Sequence, residues 1–165
     1  MGLDLSDNMV AEYNKSAREM GIPPEKMSAQ RGDLLAEPVP EHLSGPDFHD
    51  FDIAAIGMAI HHVESPQLAL KRLAGRLRKG GVCFVMDLFP SQRRLLELQK
   101  FYEEHPEIAA TVNKHGFTKE EMQTLYQNAG LGGRFDYVVV EKPLEFTMNG
   151  QEHSTTAFMA RGELI

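Results

Sequence analysis

Phe51-Asp52-Ile53-Ala54-Ala55-Ile56-Gly57-Met58-Ala59-Ile60, followed at once by His61-His62, is the stretch on which the fold turns. From Ile53 to Ile60 it holds no charge and nothing strongly polar. Such a run, bounded by turn signals, reads as a strand buried on both faces. Two imidazoles stand at its C-terminal end, before a new helix start at Ser65-Pro66. In open α/β sheets ligands sit outside the carboxyl ends of the strands, so the chemistry is expected there.

The elements on either side follow from caps and periodicity. Gly2-Leu3-Asp4-Leu5 reads as the tail of a strand, and Ser6 as the N-cap of a helix whose stripe is Met9, Val10, Tyr13, Ala17 and Met20. Gly21 and Pro23-Pro24 stop that helix. Lys26 to Arg31 is a short strand candidate closed by Gly32-Asp33, and Ala36 to Asp50 is a surface stretch with room for one helical turn. Beyond the histidines, Ser65 and Pro66 open a helix with Leu68, Leu70, Leu73 and Leu77 inward. Lys79-Gly80-Gly81 reads as a turn, and Val82 to Leu88 as a second buried strand. Pro90-Ser91 starts a helix reaching about Glu104, and Thr118 to Glu121 is a capping box for another that ends at Gly130. Phe135–Lys142 and Glu152–Arg161 form an expected antiparallel hairpin around Asn149-Gly150. The pattern is that of an α/β domain, with a mostly parallel sheet closed by the hairpin. One domain over residues 1–165 is expected from the length.

Composition narrows the function. A net charge of −7 offers no footprint for a phosphate backbone, so nucleic acid is not expected as a partner. No apolar run nears the roughly 18 residues of a membrane helix, and no signal-like pattern opens the chain. A cytoplasmic protein is the expectation. Cys83, the single cysteine, lies in the run Val82 to Met86, where packing suits it better than reactivity. The imidazole of an unperturbed histidine titrates near neutrality, so His61 and His62 suit a general base. Packing, or hydrogen bonding to a neighbouring loop, is the other reading of either one. As adjacent residues on one strand they point to opposite faces and cannot easily share one ion, and no second His or Cys lies at a metal-like spacing, so no metal is expected. His115 reads as loop structure.

Six short motifs in order carry a resemblance. They are Gly2-Leu3-Asp4-Leu5-Ser6 with Met9; Gly32-Asp33-Leu34-Leu35; Phe51-Asp52 through His61-His62; Leu77 to Val82; His115 to Thr118 with Glu121-Met122; and Ala129-Gly130-Leu131. The chain resembles a class I S-adenosylmethionine-dependent methyltransferase of the small-molecule type. The resemblance implies a Rossmann-like fold, S-adenosylmethionine as cofactor, and methyl transfer to a small-molecule acceptor. Asp4 would accept hydrogen bonds from the ribose; a carboxylate at a helix N-terminus is its other reading. Gly32 would let the chain approach the adenine and Asp33 would accept from its amine, against the alternative of a strand-ending turn. Leu5, Met9, Leu34 and Gly57 complete the implied cofactor contacts. At least one of His61 and His62 would face the sulfonium side, with the acceptor side supplied by the segment Phe89 to Lys114.

One element of that family is not found in these residues. Its glycine-rich turn precedes the acidic residue by about 20 positions, which would place it roughly 16 residues before Met1. The first strand and the glycine loop are therefore expected to be missing, leaving unpaired inner edges. Three arrangements follow: a fragment of a complete methyltransferase, a natural truncation that pairs its open edge with another chain as a binding or regulatory partner, or a sheet closed in a changed order. Impaired activity of the chain alone and self-association through exposed edges are the matching expectations.

Overall fold

In the computed structural model the run from Phe51 forms a strand, and Val82 to Leu88 lies beside it in parallel, as the apolar patterns require. The structure describes residues 1–90, 102–103, 106–148 and 150–165. Most of the helix expected from Pro90-Ser91 lies outside the described residues; Tyr102 and Glu103 are helical. The chain divides into two units, Met1–Phe48 and His49–Ile165.

The first unit pairs β1 (Gly2–Asp4) with β2 (Ala29–Arg31) in parallel, Asp4 opposite Arg31. Between them runs α1 (Asp7–Glu19), started by Ser6, whose hydroxyl accepts the Met9 N–H at 3.3 Å. Asn14 of α1 anchors β2, donating to the Ala29 carbonyl and accepting its N–H, each at 2.8 Å. Of the expected stripe only Ala17 is buried, while Met9, Tyr13 and Met20 stay exposed. The stretch Ala36 to Asp50 holds two 3-10 turns, Glu41–Leu43 and Pro46–Phe48.

The second unit builds a four-stranded sheet in the order β3 (Phe51–Gly57), β4 (Leu77–Leu88), β8 (Ala157–Glu163), β5 (Gly133–Val139). Helices α2 (Pro66–Ala74) and α3 (Lys119–Asn128) cover its buried face. Leu70, Ala74, Met122 and Tyr126 from the helices meet Cys83, Val85, Phe158 and Ala160 from the strands. The Tyr126 hydroxyl reaches the carbonyls of Ala160 at 3.2 Å and Cys83 at 3.3 Å, tying α3 to two strands. Thr118 and Glu121 form the expected capping box.

Four details differ from the sequence reading. β3 ends at Gly57 rather than Ile60, because Met58 turns to φ 49° and Ile60–His62 form a 3-10 turn. β3 is not covered on both faces: among the described residues it pairs only with β4, and Ile53 is 60% exposed. The Lys79-Gly80-Gly81 turn is absorbed as a bulge in β4, which starts at Leu77. The final antiparallel pair is split: β5 joins β8 directly, while β6 (Leu144–Met148) and β7 (Gln151–Thr155) make a separate hairpin between them.

Candidate active site

The first unit gathers three of the expected cofactor residues at the carboxyl ends of β1 and β2. Parallel pairing brings these ends level, and the Gly32 N–H donates to the Asp4 carbonyl at 3.0 Å. A Cβ at Gly32 would press on both terminal methyls of the buried Leu43. Asp4 Oδ1 accepts the Ser6 N–H at 2.8 Å, and Asp33 Oδ1 accepts the Leu35 N–H at 2.8 Å. Each carboxylate thus spends one oxygen on shaping its own turn and keeps Oδ2 unbonded among the described residues. Those two oxygens suit hydroxyl and amine donors of an adenosine. Leu5 and Met9 follow Asp4 as exposed apolar side chains, and Leu34 is half-buried.

In the second unit Gly57, His61 and His62 come together at the carboxyl end of β3. Gly57 pairs with Met86, and the Met58 N–H donates to the Met86 carbonyl at 2.8 Å. Among the described residues nothing lies within 4 Å of where a Gly57 Cβ would stand, which leaves the backbone there room for a ligand. The two histidines do not point to opposite faces. They sit on a 3-10 turn rather than a strand, and their ring centroids are 4.0 Å apart at 41°. His61 is buried and His62 exposed.

Both rings have their Nδ1 engaged. His62 Nδ1 is 2.8 Å from the Thr111 carbonyl, which can only accept, so that nitrogen carries the proton. His61 Nδ1 is 2.8 Å from Asp87 Oδ1. The loop after the Pro106–Ala109 helical turn grips the same turn from outside. Asn113 and Lys114 N–H groups donate to the His61 carbonyl at 3.0 and 3.1 Å, and the Asn113 amide donates to the His62 carbonyl. His115 takes no part in this; its ring lies 5.3 Å from that of Tyr102.

Asp87 was not among the residues singled out from sequence. Its signal was present: a carboxylate closing the apolar run Val82-Cys83-Phe84-Val85-Met86, on the strand beside the histidines. Gly116 supports that strand end at φ 124°, where a side chain would collide with the Leu88 carbonyl, and the Phe117 N–H donates to that carbonyl at 3.2 Å. Among the described residues no group of three or more His, Cys, Asp or Glu side chains forms a metal site. No helix of the described residues is long and apolar enough to cross a membrane.

Comparison with known proteins gives the family and the fold. The model of the methyltransferase domain family matches residues 1–85. An uncharacterized methyltransferase of Schizosaccharomyces pombe is 32% identical over 135 residues, covering 79% of this chain and 45% of the relative. The chain thus spans less than half the length of that relative. Among solved structures, the YcgJ protein of Bacillus subtilis aligns with TM-score 0.68 at 16% identity, over 98% of this chain and 80% of its own. A SAM-dependent methyltransferase from Thermotoga maritima, described as a possible histamine N-methyltransferase, aligns with TM-score 0.58 at 22% identity, over 99% and 72%. At these identities the structures speak for the fold, a Rossmann-like methyltransferase fold. The chain belongs to the methyltransferase domain family, and S-adenosylmethionine is the cofactor of that family.

Proposed function

We propose that the chain serves S-adenosylmethionine-dependent methyl transfer to a small-molecule acceptor. Asp4, Gly32 and Asp33, with Leu5, Met9, Leu34 and Gly57, are assigned to the cofactor, and the His61–His62 turn to the acceptor. When bound, S-adenosylmethionine supplies a methyl group on a sulfonium, so the protein's share is proximity and orientation. The observation that carries the reading is the pair of unbonded carboxylate oxygens, Asp4 Oδ2 and Asp33 Oδ2, at level strand ends within the region matched by the family. A cytoplasmic setting fits a chain whose one cysteine is free and buried.

The 165 residues alone are proposed to bind the cofactor weakly and to self-associate. Two features support this. Among the described residues no strand is followed by a Gly-x-Gly turn and β1 and β3 each pair with one neighbour, leaving strand edges that template pairing. The same edges favour, as a second reading, a role as a binding partner that pairs with another chain.

Titration of the isotope-labelled chain with S-adenosylmethionine, followed by amide NMR and light scattering, tests both. Expected are shifts at Asp4, Gly32, Asp33 and Gly57 with a dissociation constant weaker than about 100 µM, and a further loss of about tenfold in Asp4→Asn. Saturation without shifts at these amides overturns the site. Micromolar binding by a monomer overturns the impairment.

A further inference from the structure

The alternation of β4 places Cys83, Val85 and Asp87 on its buried face, opposite Gly162, Ala160 and Phe158 of β8. The first two are apolar, as that face demands. Asp87 is 0% exposed there, and a carboxylate so buried is costly unless its oxygens are matched by donors. Three donors meet it: the Leu88 N–H at 2.6 Å and His61 Nδ1 at 2.8 Å on Oδ1, and the His61 N–H at 3.4 Å on Oδ2. Two of the three belong to one residue. The carboxylate itself stands on a rigid platform, since β4 is paired with β3 on one side and β8 on the other. His61 Nε2, by contrast, makes no hydrogen bond among the described residues, on a side chain that keeps 8% of its surface exposed.

We propose that Asp87 is a positioning residue: it holds His61 with its proton on Nδ1, so that Nε2 is the nitrogen that takes a proton from the methyl acceptor. This rests on assigning the His61–His62 turn to the acceptor side. A carboxylate facing one ring nitrogen fixes both tautomer and orientation and stabilises the imidazolium formed when the other nitrogen is protonated. In that step the acceptor's bond to hydrogen breaks, its electron pair stays on the acceptor atom, and the new N–H bond forms at Nε2. The acceptor class follows: a nucleophile that must lose a proton on methylation, such as a hydroxyl or thiol, rather than a tertiary amine or thioether. His62 differs in its support, a backbone carbonyl in place of a buried carboxylate.

Long-range nitrogen–proton NMR on the cofactor-free chain, labelled in histidine and observed with the rings neutral, reads the tautomer of each imidazole. Expected for His61 is a protonated Nδ1 and a bare, pyridine-like Nε2. In Asp87→Ala the Nε2 signal of His61 should move toward the protonated, pyrrole-like position, while His62, held by Thr111, keeps its own tautomer. A general loss of structure would move both histidines, so a change confined to His61 separates positioning from folding. Protonated Nε2 on His61 in the unaltered chain overturns the proposal, as does an Asp87→Ala chain whose His61 tautomer is unchanged. Because no cofactor is present, the outcome is independent of whether S-adenosylmethionine binds at Asp4 and Asp33.

Discussion

His61 and Asp87, 26 residues apart in sequence, form a buried imidazole–carboxylate pair at 2.8 Å, with side-chain exposures of 8% and 0%. Removing the ring strands a buried carboxylate. His61→Ala is therefore expected to destabilise the chain by about 3 kcal/mol. His62→Ala, at an exposed ring bonded to a loop carbonyl, should cost about 1 kcal/mol or less. Urea midpoints of the two variants, measured side by side, check the difference; equal losses would contradict it.

The capping box of α3 predicts a pH-dependent contribution. Burial pushes the Glu121 carboxyl up, but the Lys114 ammonium at 2.6 Å and the Thr118 N–H at 2.9 Å outweigh it and hold the group below its ordinary value of 4.5. A carboxylate depressed in the folded state adds stability above its unfolded value, and that stability fades as pH falls through the folded one. Glu121→Gln should lower the urea midpoint at neutral pH and approach the unaltered chain in acid. Thr118→Ala, which removes the cap itself, should cost about 1 kcal/mol.

Gly162 lies where a side chain would collide with the Leu131 carbonyl and press on the Tyr126 ring. Since Tyr126 is clamped to β4 and β8 through its hydroxyl, it has no room to yield. Gly162→Ala is expected to cost more than about 2 kcal/mol. Gly75→Ala, at a helix C-cap with φ −66° and only ordinary contacts, should be neutral or slightly stabilising. Thermal unfolding of the pair measures the contrast.

Cys83 should be inert while the chain is folded. Burial pushes its thiol up to about 12, so little thiolate forms at mildly alkaline pH. Maleimide labelling read by mass spectrometry should find no adduct in the native protein and complete labelling in denaturing urea. Rapid native labelling would show that the β4 face opens.

Arg78 and Asp52 meet at 2.7 Å with side chains 53% and 77% exposed. Solvent screens such a pair, and Asp52→Asn is expected to change stability by less than about 0.5 kcal/mol. Chemical denaturation suffices to detect a larger effect.

Helix starts were legible because caps are local chemistry. Ser6, Ser65 and Thr118 each bond a backbone N–H three residues on, and each opens a helix where the sequence places one. The strand-end positions of Asp4 and Gly32-Asp33 were legible for a similar reason: a charged residue or glycine at the end of a short strand has few places to go. The parallel pairing of Phe51–Gly57 with Val82–Leu88 could be inferred from two apolar runs with a capped helix between them.

The sequence alone determined those elements, their approximate limits and the family to which their order belongs, since each rests on a few neighbouring residues. The tertiary structure alone decided what depends on partners far along the chain. It showed β3 with one neighbour among the described residues and Ile53 in the open, which no apolar run can announce, because burial belongs to the sheet and not to the strand. It inserted β8 between β4 and β5, since strand order is set by packing and not by chain order. It also turned the two histidines onto one side through the left-handed Met58, and brought Asp87 to His61, because a buried carboxylate needs more donors than its own strand's Leu88 N–H and the turn after the neighbouring strand supplies them.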